Sequence, residues 1–144
     1  MRIDKLYRGR VKVFAYETDE LELDFGDDRK AINGSKVVVL GVAYKRDIDD
    51  VRESPGLDII QLLEQRGADV VYHDPYVASV RLEGDAIMHS TPYSAELLAG
   101  ADCVVIVTDH SIFDWQHVLD HSKLVVDSRN ATVGKQGAAR IEVL

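Results

Sequence analysis

One short loop of this sequence, "GVAYKRDIDDVRESPG" at residues 41–56, carries three cations and four carboxylates between an apolar run and a helix that begins with proline. The cations are Lys45, Arg46 and Arg52, and such side chains bind phosphate groups. The first amides of a helix opening at Pro55 would add the positive end of a dipole. These residue types predict an anion site, and a diphosphate would suit it.

The same charges have a second interpretation, in which the loop is solvated and its side chains pair with one another. Arg52, for example, is close in sequence to Asp49 and Asp50. Exposed ion pairs of this kind are common and weak. Spacing alone leaves both interpretations open.

The flanking segments predict the elements that position this loop. From Lys36, "KVVVLGV" is a continuous β-branched run, typical of a strand buried on both faces. Ser54 suits the N-cap and Pro55 the first turn of a helix through "GLDIIQLLEQR", which Gly67 closes. Further strands are predicted in "DVVYHD", "AIMHS", "DCVVIVT" and, as the last strand, "KLVVDS"; further helices are predicted in "YSAELLAG" and "IFDWQHVLD".

This alternation predicts the α/β class, as a Rossmann-like doubly wound parallel sheet with helices on both faces. Open sheets of this type bind ligands at the carboxyl ends of their strands. The polar loop directly follows a strand, so the topology places it where a ligand is expected.

Residues 1–33 show a different pattern. "RVKVFAY" and "ELELDF" alternate with period two, which predicts a β-hairpin turning at "ETDE". "DDRKAINGSK" has the composition of a linker. The predicted organisation is a hairpin and linker segment of unknown origin at 1–33, a main domain at 34–133 and a tail at 134–144.

Composition narrows the class of protein. At 144 residues and 46% hydrophobic content, the chain supports one core. A net charge of −8 argues against nucleic acid as a partner. The single cysteine argues against a disulfide framework and favours a reducing, cytoplasmic setting. The sequence has neither a long apolar run nor the apolar centre of a signal peptide, so we expect no membrane association.

The residues present argue against several more specific kinds of site. The sequence lacks the glycine fingerprint of dinucleotide sites and the P-loop. His117 and His121 could share a helix face but have no third metal ligand nearby, so we expect exposed histidines and no metal. Cys103 lies in an apolar run, which predicts a buried, inert thiol. Asp109-His110-Ser111 has the letters of a catalytic triad, but neighbours in sequence rarely converge as one.

Three stretches together carry a family resemblance: "KVVVLGVAYKRDIDDVRESPGLDIIQLLEQRGADVVYHDPYV", "LLAGADCVVIVTDHSIFDW" and "LVVDSRN". They resemble the C-terminal UDP-binding domain of the UDP-glucose/GDP-mannose dehydrogenase family. Within it, "AYKRDIDDVRESP", "HDPYV" and "VTDHSIFDW" are most similar to the UDP-N-acetylhexosamine 6-dehydrogenases that act on UDP-N-acetylmannosamine. The resemblance implies that residues 34–133 form a UDP-sugar-binding domain.

The resemblance also implies roles for residues at matching positions. Tyr44 and Lys45 of the "YK" pair would contact the UDP-sugar, as would Arg129 of "DSRN". Arg52 of "DDVRESP" would contact the cofactor NAD at the cleft between domains. Arg129 follows a predicted strand at the same sheet edge as the polar loop, so two distant loops would converge on one anion.

The family oxidises the sugar C6 hydroxyl to a carboxylate with two hydride transfers to NAD, through a cysteine outside this domain, for polysaccharide or glycan precursors. The resemblance implies the other domains of the same enzyme as partners, and a homo-oligomer in the complete enzyme. Without that cysteine and the NAD fingerprint, this chain alone is expected to be inactive. The alternatives are the same domain of a UDP-glucose 6-dehydrogenase and, in another class, a stand-alone nucleotide-binding, regulatory or assembly module.

Overall fold

The computed structural model describes residues 22–25 and 28–143. The strands in this part of the chain are β1 (Glu22–Phe25), β2 (Asp28–Ala31), β3 (Lys36–Leu40), β4 (Asp69–His73), β5 (Ser79–Arg81), β6 (Ile87–His89), β7 (Cys103–Ile106), β8 (Leu124–Asp127) and β9 (Arg140–Val143). The helices are α1 (Pro55–Gln65), α2 (Ala95–Gly100) and α3 (Trp115–His121), with a short 3-10 turn at Glu83–Asp85.

A five-stranded sheet in the order β4-β3-β7-β8-β9 forms the centre of the fold. Each neighbouring pair is parallel. β3 lies between β4 and β7, and its residues after Lys36 are buried on both faces of the sheet, as its continuous run of β-branched and aliphatic residues predicts. The predicted Rossmann-like parallel sheet is confirmed.

Helices cover both faces of this sheet. On one face, α1 packs Ile60 and Leu63 against the core that includes Val39 of β3. On the other face, α2 and α3 contribute Leu98 and Leu119. Burying each such side chain stabilises the fold by about 1.5–3 kcal/mol.

The predicted limits of α1 are also confirmed. The Ser54 hydroxyl accepts a hydrogen bond from the Gly56 amide at 3.1 Å, and Pro55 stands in the first turn. Gly67 follows the last turn with a φ of 86°, a conformation that glycine adopts without strain. The loop that precedes α1 is therefore anchored at its far end.

The N-terminal hairpin differs in position from the prediction. β1 and β2 pair antiparallel, with Phe25 opposite Asp28. β2 occupies part of the predicted linker "DDRKAINGSK", so that prediction was wrong there; pairing with β1 gives this polar segment backbone partners that its composition did not indicate. The predicted first arm "RVKVFAY" and the turn "ETDE" lie outside the described residues.

Two further strands, β5 and β9, were not predicted, and a third, β6, lies outside the main sheet. "KLVVDS" is not the last strand, because β9 pairs with β8 in parallel along the sheet edge. The predicted strand in "AIMHS" exists as β6, but it pairs with β5 in a separate two-stranded antiparallel sheet. Both outcomes depend on which backbone groups were available for pairing, and composition carries little information about that.

Candidate functional site

Loops from four neighbouring strands meet at the carboxyl ends of β3, β4, β7 and β8. The polar loop of residues 41–54 follows β3, and it meets residues from the segments that follow the other three strands. This is the edge of a parallel sheet at which ligands bind. Contacts with these segments hold the hydrophilic loop in one conformation.

Asp74, just after β4, holds the start of the polar loop. Its buried carboxylate accepts hydrogen bonds from the amides of Val42 at 2.8 Å and Ala43 at 3.1 Å through Oδ2. Its other oxygen accepts from the Tyr76 amide at 2.8 Å. A buried carboxylate is costly unless it is hydrogen-bonded, and here backbone donors supply the compensation.

His110, after β7, extends this network to the middle of the loop. Its ring is fully buried and donates from Nε2 to Oδ2 of Asp74 at 2.8 Å. Nδ1 accepts from the Asp47 amide at 2.8 Å, so the hydrogen bonds define a neutral ring with its proton on Nε2. The Asp74–His110 pair therefore connects three loops through one buried acceptor and one buried ring.

The loop after β7 binds the polar loop at further points. The Ser111 amide and hydroxyl donate to the Asp47 carboxylate at 2.8 and 2.6 Å, and these bonds lower the pKa of Asp47. The Thr108 hydroxyl donates to the carbonyl of Ala43 at 2.6 Å. Asp109, His110 and Ser111 do not form a triad: Asp109 pairs with Arg46, His110 bonds to Asp74 and the Asp47 amide, and Ser111 bonds to the Asp47 carboxylate.

Gly41 allows the close approach of these two loops. Its φ is 81°, and a Cβ atom there would lie 2.4 Å from the Thr108 carbonyl oxygen. A side chain at this position would therefore both strain the backbone and collide with the neighbouring strand end. The glycine in "GVAYKR" serves loop packing.

Two arginines from distant loops converge on an open cavity of about 580 Å³, lined by Arg46, Asp109, Ser128, Arg129 and Asn130. We call it the arginine cavity. Arg46 Nη2 donates to Oδ2 of Asp109 at 2.5 Å, and this contact raises the pKa of Arg46. Arg129 Nε lies 3.7 Å from Oδ1 of the same carboxylate. A guanidinium can bind a phosphate group through two parallel hydrogen bonds, and two guanidiniums, those of Arg46 and Arg129, meet at this cavity.

The loop that carries Arg129 is held by Asp127 at the end of β8. Oδ1 of this buried carboxylate accepts from the amides of Arg129 and Ala131, and Oδ2 accepts from the Thr132 amide and hydroxyl. Burial acts to raise the pKa of Asp127, but the donors, led by Thr132, outweigh it and lower the pKa. These four hydrogen bonds therefore fix the backbone conformation at Arg129 without a ligand.

The predicted site residues divide into three groups. Arg129 lies in the arginine cavity, beside Arg46, one of the three cations of the polar loop. Tyr44 and Lys45 are exposed neighbours of Arg46 on the same loop but do not line the cavity; Lys45 Nζ lies 5.6 Å from the centroid of the Tyr44 ring. The Tyr44 amide donates to the Asp50 carbonyl at 2.7 Å, which closes the loop on itself.

Arg52 follows the second interpretation of the loop charges. Its Nε and Nη2 donate to the Asp50 carboxylate at 3.0 and 2.7 Å, which lowers the pKa of Asp50 to about 2. Its side chain is 87% exposed and does not line the arginine cavity. Arg52 thus forms the predicted ion pair within the loop, whereas Arg46 pairs with Asp109 from another loop at the edge of an open cavity.

Cys103 is buried, and burial first and Asp102 second raise the pKa of its thiol to about 12. His121 is exposed as predicted, but His117 is half-buried, with Nδ1 2.5 Å from the Tyr93 hydroxyl. Among the described residues, no three His, Cys, Asp or Glu side chains are grouped to hold a metal ion. No helix in this part of the chain combines the length and apolar content needed to cross a membrane.

Residues 38–134 match the sequence model of the UDP-glucose/GDP-mannose dehydrogenase family, UDP binding domain. The chain belongs to this family. The matched region spans β3 to β8 and includes the polar loop, the Asp74–His110 pair and the arginine cavity.

Relatives of known sequence support the assignment and differ in substrate. UDP-glucose 6-dehydrogenase AglM of Haloferax volcanii is 32% identical over 121 residues, 82% of this chain and 28% of its own length. UDP-N-acetyl-D-mannosamine dehydrogenase of Methanococcus maripaludis is 34% identical over 84 residues, 57% of this chain and 18% of its own length. This family member therefore spans less than a third of the length of these relatives.

Solved structures agree with the fold. UDP-D-ManNAc dehydrogenase of Pyrococcus horikoshii matches with a TM-score of 0.61 at 26% identity, covering 77% of this chain and 25% of that one. A UDP-glucose dehydrogenase of Pyrobaculum islandicum matches with a TM-score of 0.58 at 32% identity, covering 76% and 25%. The domain in this chain is thus a UDP-binding domain of the family in both sequence and fold.

Proposed function

We propose that this chain is the UDP-sugar-binding part of an NAD-dependent UDP-N-acetylhexosamine 6-dehydrogenase. The single observation that carries the proposal is the meeting of Arg46 and Arg129 at one open cavity, at the ligand-binding edge of a sheet of this family. Two guanidiniums on anchored loops are suited to the diphosphate of a UDP-sugar. Tyr44 and Lys45, exposed on the same loop, would contact the remainder of the nucleotide sugar.

The choice of a 2-acetamido sugar rests on the loop motif and on similarity. "AYKRDIDDVRESP" together with "HDPYV" and "VTDHSIFDW" resembles the N-acetylmannosamine enzymes, and several relatives carry that name. UDP-glucose is the second candidate, because the Haloferax volcanii relative aligned over 82% of this chain is a UDP-glucose 6-dehydrogenase. The two sugars differ at C2, so a direct comparison of the two ligands decides between them.

For NAD, we propose Arg52 as a contact of this domain in the complete enzyme. Its exposed guanidinium is oriented by Asp50 and can reach a partner outside this domain. NAD accepts the hydride in the oxidation of the sugar C6 hydroxyl, and the other domains of the enzyme would supply the nucleophile. Because Arg52 lies outside the arginine cavity, Arg52→Ala should leave UDP affinity unchanged.

The first test is calorimetric titration of the purified chain with UDP, UDP-N-acetylmannosamine and UDP-glucose, at low and raised salt. Lys45→Ala and Arg129→Ala should each weaken binding about 10-fold or more, since a hydrogen bond to a charged group contributes about 1.5–3 kcal/mol. Raised salt should weaken wild-type binding as well. Arg81→Ala is the matched control, because Arg81 is an exposed arginine paired with Asp85 in another part of the fold.

Two results would contradict the proposal. Failure of the folded wild-type chain to bind any of the three ligands would remove the arginine cavity as a diphosphate site. Equal losses in Arg129→Ala and Arg81→Ala would mean that only net charge matters. A separate assay for NADH formation by the chain alone should give no signal, because its one cysteine is the buried Cys103.

A further inference from the structure

Among the described residues that line the arginine cavity, one is acidic: Asp109, which UDP binding by the two arginines does not require. Its carboxylate is 11% exposed and lies between the two guanidiniums. One oxygen accepts from Arg46 at 2.5 Å, while the other lies 3.7 Å from Arg129 Nε, beyond hydrogen-bond distance. The carboxylate thus lies between two cations, where a phosphate group of the ligand would bind.

We propose that Asp109 is a built-in competitor for the phosphate groups of the ligand and sets the affinity of the arginine cavity. This inference rests on the proposed function of the cavity as a diphosphate site. A diphosphate would take Arg46 away from Asp109, so part of the binding free energy is spent on breaking the existing ion pair. The ligand must then also lie beside a carboxylate of like charge.

The mobility of the partners supports this order of events. Asp109 is adjacent to His110, whose ring is fixed in the core by hydrogen bonds to Asp74 and Asp47, so the backbone at Asp109 has little freedom. Arg46 has a long side chain that is 58% exposed. Arg46 is therefore the group that changes partner, and Asp109 stays in place.

The charges of the residues that line the cavity predict that removing the charge of Asp109 strengthens phosphate binding. Two guanidiniums and one carboxylate leave one net positive charge, since Ser128 and Asn130 are neutral. Asp109→Asn would raise this to two positive charges and keep the shape of the side chain. It would also leave Arg46 without its ionic partner and available to the ligand.

The test is titration of the whole chain and its Asp109→Asn variant with UDP, with inorganic pyrophosphate and with uridine. The variant should bind UDP and pyrophosphate about 10-fold more tightly, with little change for uridine, which lacks phosphate. Asp85→Asn removes the same charge from an exposed ion pair with Arg81 and should leave all affinities unchanged. Unchanged melting temperature and circular dichroism would show that the variants are folded.

The outcomes separate this inference from the proposed function. Wild-type binding of UDP with equal or weaker binding by Asp109→Asn would overturn the inference alone and make Asp109 a positioning residue for the arginines. Tighter pyrophosphate binding by the variant, with UDP bound by neither protein, would support the inference and overturn the proposed function. Binding of neither phosphate ligand by either protein would overturn both.

Discussion

Replacement of Asp74 by alanine should destabilise the domain strongly, because four donors depend on its carboxylate. Oδ2 accepts from the amides of Val42 and Ala43 and from His110 Nε2, and Oδ1 accepts from the Tyr76 amide. Asp74 itself is only 3% exposed, so water has little access to these donors. Each buried donor left without an acceptor costs about 1–3 kcal/mol.

We expect Asp74→Ala to lower the free energy of unfolding by about 4 kcal/mol or more, since four donors lose their partner and water can satisfy only some of them. Domains have total stabilities of about 5–15 kcal/mol, so this is a large part of the whole. The asparagine variant should cost less, about 1–3 kcal/mol, because its oxygen can take the Oδ2 position and leave only the Tyr76 amide facing an amino group.

Urea unfolding followed by the fluorescence of Trp115, the one tryptophan in the sequence, measures these differences. Asp49→Ala is the control on the same loop; Asp49 is exposed, so the change should stay within about 0.5 kcal/mol. A loss below about 1 kcal/mol for Asp74→Ala would refute the reasoning, given the range expected for one unsatisfied donor. Equal losses for the alanine and asparagine variants would do the same.

Two further predictions concern Gly41 and Cys103. Gly41→Ala should lower the free energy of unfolding in urea by at least about 2 kcal/mol, because the added Cβ meets a positive φ and a clash with Thr108. Gly134→Ala is the control: Gly134 has a φ of 73° but open space around it, so the loss should be only about 1 kcal/mol. Equal losses would argue against the close approach of the two loops. The Cys103 thiol, whose pKa burial raises to about 12, should resist thiol reagents at about pH 8 until the chain unfolds. Because this folded-state pKa lies above the ordinary 9.0, the stability linked to the thiol is complete below pH 9.0 and is lost as pH rises toward 12; rapid labelling of the folded chain would contradict the burial.

Much of the fold could be predicted because its main elements carry strong local signals. The β-branched run of β3 and the Ser54-Pro55 start of α1 are properties of short stretches, and both were confirmed. β2, β5 and β9 were missed because each has only three or four residues and becomes a strand through its partner strand. Pairing of this kind is decided by the neighbouring backbone.

In the candidate site, too, some features could be predicted from the sequence and others could not. The polar loop and Arg129 were recognisable as cationic groups beside predicted strand ends, and the meeting of two loops was expected. The pairs Arg46–Asp109 and His110–Asp74 were not expected, because each joins residues more than 30 positions apart in the sequence. Only the strand order brings those loops to one edge.

The sequence by itself therefore determined the class of fold, the loop that would be charged and the family to which the chain belongs, because these follow from local composition, periodicity and motif. The tertiary structure decided which charge pairs with which. Arg52 is neutralised within its own loop by Asp50, while Arg46 and Arg129 share one carboxylate across the sheet edge. Electrostatic pairing depends on distance in space, and that distance is set by how the parallel strands are ordered.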